Sequence, residues 1–326
     1  MVEIGYALSS EEHTPLDMVR WAERAEQAGF GFALISDHYH PWIDRQGHSG
    51  FVWGLIGAIS QRTEKLVLGT GVTAPIIRTH PAIIAQAAAT AACLMPGRFF
   101  LGVGSGENLN EHILGDKWPP ADIRLEMLEE SIDVMRTLWQ GGVQDYDGSY
   151  YVVENARVYD LPDDEIQVMV AASGEKASQL AGRVGDGLIG TSASTDTVTA
   201  FEKAGGSGKP RYGQMSVCWA ETEEEAVRVA HEVWPIAGMG GQLGQELALP
   251  ALYEAVAELV TPDQIKESIV CGPDAEPVRK KIQEYADAGY THVYLHQIGP
   301  DQEGFFRFAE RELLREPVAA GLAGAR

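Results

Sequence analysis

Residues 4–36, IGYALSSEEHTPLDMVRWAERAEQAGFGFALIS, hold the pattern that decides the fold. Ile4–Leu8 is a short apolar run that reads as a strand, and Phe32–Ser36 is a second. Between them Leu16–Ala28 repeats its apolar positions at helical spacing. Continuous rather than alternating apolar strands are what a parallel sheet covered by helices on its faces requires. The unit recurs. Strands are expected at Leu66–Thr70, Arg98–Gly104, Gln167–Ala171, Gly187–Gly190, Gln214–Ala220 and His292–His296. Helices are expected at Gly54–Arg62, Pro81–Leu94, Leu125–Leu138, Lys176–Val184, Thr197–Ala204, Glu223–Val233, Pro277–Ala288 and Phe305–Leu314. Eight such units predict an α/β protein with a closed (β/α)8 TIM barrel, the alternative being an open doubly wound sheet. Two stretches depart from the rhythm. Asp145–Tyr151 carries Asp-Gly in a hairpin turn, an excursion near 144–160, and residues near 235–270 read as a helical insertion. No linker rich in Pro, Ser or Gly divides the chain, so one domain over 1–326 is expected.

Composition narrows the function. Hydrophobic residues make up 45% of the chain, enough for a large core. No apolar run is long enough to span a membrane, and the start, Met1–Tyr6, has no signal-type stretch, so a cytoplasmic protein is expected. The net charge of −22 argues against nucleic acid as a partner. It leaves room for an anionic substrate only in a local basic pocket. Cys93, Cys218 and Cys271 are far apart and read as reduced thiols rather than a metal or disulfide set. Eight lysines against 17 arginines make a lysine-poor acidic surface that suits high salt.

In a barrel, chemistry gathers on the loops after the strands. After the second strand comes Ser36-Asp37-His38-Tyr39-His40-Pro41-Trp42. Here Asp37 is placed to orient His38, His38 to take a hydroxyl proton near neutral pH, and Trp42 to form an aromatic wall. The plainer readings are a turn cap with a satisfied loop histidine, or a metal at His38 and His40; no second ligand set completes the latter. After the fourth strand comes Gly102-Val103-Gly104-Ser105-Gly106-Glu107-Asn108-Leu109-Asn110-Glu111, glycines that let backbone approach a ligand and an acid facing the mouth. The plainer reading of Glu107 is an acid at a helix N-terminus. Ala172-Ser173-Gly174 runs into a helix start, a modest signal for an anion on backbone amides.

Taken in this order, with Ala181–Gly187, these segments resemble the F420-dependent subgroup of the bacterial-luciferase-like family, and within it the F420-dependent glucose-6-phosphate dehydrogenases. The resemblance runs over nearly the whole chain. It implies a homodimer of luciferase-like barrels with coenzyme F420 in the mouth, and Asp37, Gly71, Val72, Gly106, Asn108, Ala172, Ser173 and Gly174 as its contacts. Gly71-Val72 matches a cis peptide behind the deazaflavin ring. His38 matches a general base, Trp42 the indole beside the reacting carbon, Glu107 an acid for the ring, and Glu11 a carboxylate near the histidine. Thr191 lies where the family holds substrate or cofactor tail. The sugar-phosphate members carry a lysine where Ser194 stands here, whereas Lys266 matches a second basic position. The expected reaction is oxidation of a hydroxyl carbon of a sugar phosphate with hydride transfer to F420. Alternatives are an unphosphorylated sugar or secondary alcohol, a silent flavin-binding relative, and an FMN-dependent monooxygenase.

Overall fold

A computed structural model describes residues 2–314. Its strands are β1 (Glu3–Leu8), β2 (Phe32–Ile35), β3 (Val67–Thr70), β4 (Phe99–Val103), β5 (Gln144–Asp147), β6 (Val152–Ala156), β7 (Val168–Ala171), β8 (Gly187–Gly190), β9 (Arg211–Cys218), β10 (Val270–Cys271) and β11 (His292–Gln297). Eight of them run β11-β1-β2-β3-β4-β7-β8-β9, and β9 pairs back to β11, closing a parallel barrel. The expected (β/α)8 TIM barrel is the fold.

Strand periodicity divides the core in two. On β2, Phe32 and Leu34 point into the barrel while Ala33 and Ile35 face the helices. Phe100, Met169, Ile189, Tyr212 and Tyr294 complete the inner cluster. Large rings need small neighbours. A side chain on Gly5 would lie 2.4 Å from Phe32, and one on Gly69 2.1 Å from Phe100. Helix ends follow local chemistry. Helix Pro15–Ala28 starts at Thr14, whose hydroxyl accepts from the Asp17 amide, and stops at Gly29 with a left-handed φ of 100°.

Several boundaries move from their expected places. β9 runs Arg211–Cys218 instead of Gln214–Ala220, because its first residues pair with both β8 and β11. Helix Ala121–Leu138 begins four residues before the expected Leu125, directly after Pro120. Helix Thr195–Phe201 ends early in a wide turn where Gly205 takes φ 111°. The β5–β6 hairpin is present, but its turn spans four residues, with Glu130 receiving the amides of Ser149, Tyr150 and Tyr151. Residues 235–268 form short helices, the largest Pro250–Ala257, and β10 after them escaped the sequence because two residues carry no period. Among the described residues no helix is long and apolar enough to cross a membrane.

Gly102 sits where β4 passes β3. Its amide and carbonyl both bond the Thr70 hydroxyl, and an added Cβ would stand 1.9 Å from the Thr70 carbonyl oxygen. Gly102→Ala is expected to cost about 3 kcal/mol or more. Urea unfolding checks this, and an unchanged midpoint would contradict the contact.

Candidate active site

The carboxyl ends of the strands border an open-mouthed cavity of about 380 Å³. Leu34, Val72, Ala171 and Ile189 make an apolar floor, and polar side chains enter from the loops above it. His38 and Trp42 come from the loop after β2, Glu107 from the loop after β4, and Gln214 and His296 from β9 and β11.

His38 is positioned from both ring nitrogens. Nδ1 faces the His40 carbonyl at 3.3 Å, and Nε2 lies 3.4 Å from Glu11 Oε1. Both partners only accept, so an imidazolium formed by proton uptake on this ring meets an acceptor at each nitrogen. Glu11 is buried, and burial alone would raise its carboxyl. The His38 ring, the Ser36 hydroxyl at 2.7 Å, its own amide and the Ser9 hydroxyl outweigh that, and the carboxyl sits below its ordinary range. Trp42 packs its ring 5.0 Å from His38 and edge-on against buried Tyr253 at 5.3 Å. Tyr253 belongs to helix Pro250–Ala257, so the insertion walls the site.

Asp37 does something other than the sequence suggested. It neither orients His38 nor lines the cavity. Thr73 donates to one of its oxygens at 2.8 Å and Arg78 to the other at 2.9 Å. Successive residues on an extended chain point to opposite sides, so His38 turns to the cavity and Asp37 away from it. The Arg78 amide donates to Glu111, and the guanidinium lies 3.5 Å from the same carboxylate. Burial pushes the Glu111 carboxyl up to about 7, against the pull of Arg78 and with Glu107 and Asp37 adding to the rise. Sequence reasoning missed this network because Arg78 is 41 residues from Asp37 and 33 from Glu111.

Around the rim the peptide Gly71-Val72 is cis, as the resemblance implied. Gly106 adopts φ 69°, where an added Cβ would press on Ala74 and Glu111 at 3.0 Å. Glu107 lines the cavity and also stands at the N-cap position of a short helix, without a side-chain hydrogen bond to its amides, so the plainer reading of an acid at a helix N-terminus describes its place as well. Ala172, Ser173 and Thr191 line the cavity too. Gly174 starts helix Glu175–Val184, whose first amides no side chain caps.

Besides Asp37 and Gly174, three expected contacts are not brought to the cavity. Asn108 donates to the Glu246 carbonyl at 2.9 Å and ties down the insertion. Ser194 is a helix N-cap, accepting from the Thr197 amide. Lys266 lies outside the cavity on helix Pro262–Ser268, paired with Glu223 at 3.1 Å, because that carboxylate stands beside it on the adjacent helix. A second pair absent from the sequence reading lies opposite. His296 lines the cavity with Nε2 2.7 Å from Glu12, and Trp234 packs edge-on against its ring at 4.4 Å. The doubled Glu11-Glu12 was the available signal.

A family model for luciferase-like monooxygenases matches residues 1–292. This chain belongs to that family. Among its relatives are F420-dependent glucose-6-phosphate dehydrogenases from Mycolicibacterium smegmatis, 34% identical with 99% of each chain covered, and Nocardia farcinica, 34% identical with 96% and 97% covered. An F420-dependent secondary alcohol dehydrogenase, solved with an F420-acetone adduct, is 32% identical with TM-score 0.90 and 97% and 99% covered. The coenzyme F420 dependent tetrahydromethanopterin reductase of Methanopyrus kandleri shares the fold of this luciferase-like chain at 22% identity and TM-score 0.78, with 96% and 98% covered.

The raised Glu111 carboxyl gives a signed prediction. Its ordinary value is 4.5 and its folded value about 7. Between these the folded chain keeps a proton that the unfolded chain has shed, so stability falls as pH rises through the window. The stability of the unaltered protein relative to Glu111→Gln is expected to drop by about 3 kcal/mol from below pH 4.5 to above pH 7. Chemical denaturation at several pH values checks it, and a flat difference would contradict it.

Proposed function

We propose that this chain is an F420-dependent dehydrogenase that oxidises a hydroxyl carbon of a sugar phosphate resembling glucose 6-phosphate. The observation that carries the reading is His38, with Nε2 beside buried Glu11, above an apolar floor. The residues fit the cofactor. Leu34, Val72 and Ile189 suit a planar ring, the glycine-rich rim from Gly104 to Gly106 leaves room above them, and the uncapped amides from Gly174 suit an anionic tail. F420, when bound, supplies the hydride acceptor. The neutral His38 ring takes the hydroxyl proton, and Glu11 stabilises the imidazolium that results. Trp42 holds the His38 ring and excludes water from one side of it. Glu107 is the carboxyl available in the cavity to return a proton, so two groups with opposite tasks share one site. The names of the relatives support this reading, which also includes a cytoplasmic homodimer.

One observation favours a second reading, an unphosphorylated sugar or secondary alcohol. Among the described residues no lysine or arginine lines the cavity, so a phosphate there meets backbone amides and hydroxyls such as Thr191. A missing charged hydrogen bond is worth roughly 1.5–3 kcal/mol, about ten- to a hundredfold in binding.

The test is a fluorescence titration followed by a substrate screen. Oxidised F420 is expected to bind more tightly than FMN; tighter FMN would remove the reading in favour of a monooxygenase. Loss of oxidised F420 absorbance is then read with glucose 6-phosphate, glucose and 2-propanol. Saturation by the phosphate at concentrations well below those of glucose supports the first reading, and equal or better use of an uncharged substrate supports the second.

His38→Ala is expected to lower kcat by about 10²–10⁴ while F420 affinity stays within twofold. A loss under tenfold would remove His38 as the base.

A further inference from the structure

β1 lies between β11 and β2 in the barrel, and its carboxyl end leads into two consecutive glutamates. Glu11 turns to the β2 side and meets His38; Glu12 turns to the β11 side and meets His296. The second pair is more buried than the first, with side chains 2% and 3% exposed against 10% and 3%. Glu12 is itself fixed, one oxygen accepting from the Gly299 amide at 2.9 Å and the other lying 2.7 Å from His296 Nε2. A carboxylate only accepts, so Nε2 carries the proton and Nδ1 keeps its lone pair. That Nδ1 is buried with no hydrogen-bond partner among the described residues, on a ring that lines the same cavity as His38. Trp234, also in the cavity wall, holds the ring edge-on.

A buried, unpaired acceptor is a standing cost to the folded chain, removed when a ligand donor arrives. A histidine with a purely structural role needs only Glu12 and gains nothing from an unpaired, buried Nδ1 on a ring beside a cavity. The reacting hydroxyl is already assigned to His38, so the donor for His296 is another group of the same ligand. We propose that His296, oriented by Glu12, is a specificity-determining residue that accepts a hydrogen bond at Nδ1 from a second substrate hydroxyl. The site then takes sugars and other polyols in preference to alcohols with a single hydroxyl. The assignment rests on the dehydrogenase reading above and names the substrate class of that site, with or without a phosphate.

The experiment uses F420-loaded protein with glucose, glucose 6-phosphate and 2-propanol as probes, following turnover by F420 absorbance and binding by calorimetry. The unaltered protein is expected to favour at least one sugar over 2-propanol by about tenfold or more in kcat/KM or Kd. His296→Gln keeps an amide near the Nε2 position, for Glu12, and leaves nothing at Nδ1. It is expected to raise KM for that sugar about tenfold or more, to change kcat less than KM, and to leave 2-propanol and F420 affinity unaffected. His296→Asn, whose amide overlays Nδ1, is expected to recover most of the sugar affinity. The proposal is overturned if the loaded protein binds neither sugar, if 2-propanol is used as well as the sugars, or if His296→Gln raises KM less than tenfold. It is also overturned if both variants lose F420, which would make His296 structural. Failure of the unaltered protein to bind F420 at all removes the dehydrogenase reading instead, so the two failures are distinguishable.

Discussion

Taking a carboxylate out of water is costly unless hydrogen bonds and a complementary partner meet it. At the end of β1 the chain does so twice in succession, with the side chains of Glu11 and then Glu12. Each needs its own partner, and β1, paired with β11 on one side and β2 on the other, provides one from each. Glu11 is met by Ser9, Ser36 and His38, the last two contributed from the end of β2. Glu12 is met by His296 and the Gly299 amide from the end of β11. The strand order β11-β1-β2 is therefore a condition for the site as well as for the fold. Opening the barrel on either side of β1 would leave a buried carboxylate without its imidazole.

Other parts of the mouth divide the remaining work. The inner rings of β2, β4, β9 and β11 fill the barrel below, so the cavity has a floor and is not a pore. Beneath the Gly106 turn, Asp37, Arg78 and Glu111 form a buried network in which one carboxyl is held neutral over part of the ordinary pH range. The insertion contributes Tyr253 behind Trp42, and Gln245, held by Arg124 at 3.1 Å, at the cavity wall. Its link to Asn108 joins that wall to the loop after β4.

Much of this was legible in the sequence. Apolar runs such as Phe32–Ile35 and Val168–Ala171 are buried strands because parallel strands have no wet face, and their spacing gave the barrel. His38, Trp42, Glu107 and Glu11 do share one cavity. What escaped notice depended on contacts across long separations. Glu12 and His296 are 284 residues apart, and nothing local marks either as buried. Asp37 next to His38 looked like its partner, yet strand geometry sends neighbours to opposite sides. Lys266 looked available because its charge was visible and its partner Glu223, on another helix, was not. β10, two residues long, carries no periodic signal.

As proposed, this mouth moves a hydride from a hydroxyl-bearing carbon to F420 while His38 takes the proton. Isotope tracing tests it most directly. Protein and oxidised F420 are incubated with glucose or glucose 6-phosphate deuterated at carbon, and the cofactor is weighed by mass spectrometry. Reduced F420 carrying one substrate-derived deuterium is expected, formed far more slowly by His38→Ala. Unlabelled or unreduced F420, with oxygen consumed in the presence of FMN instead, would contradict it.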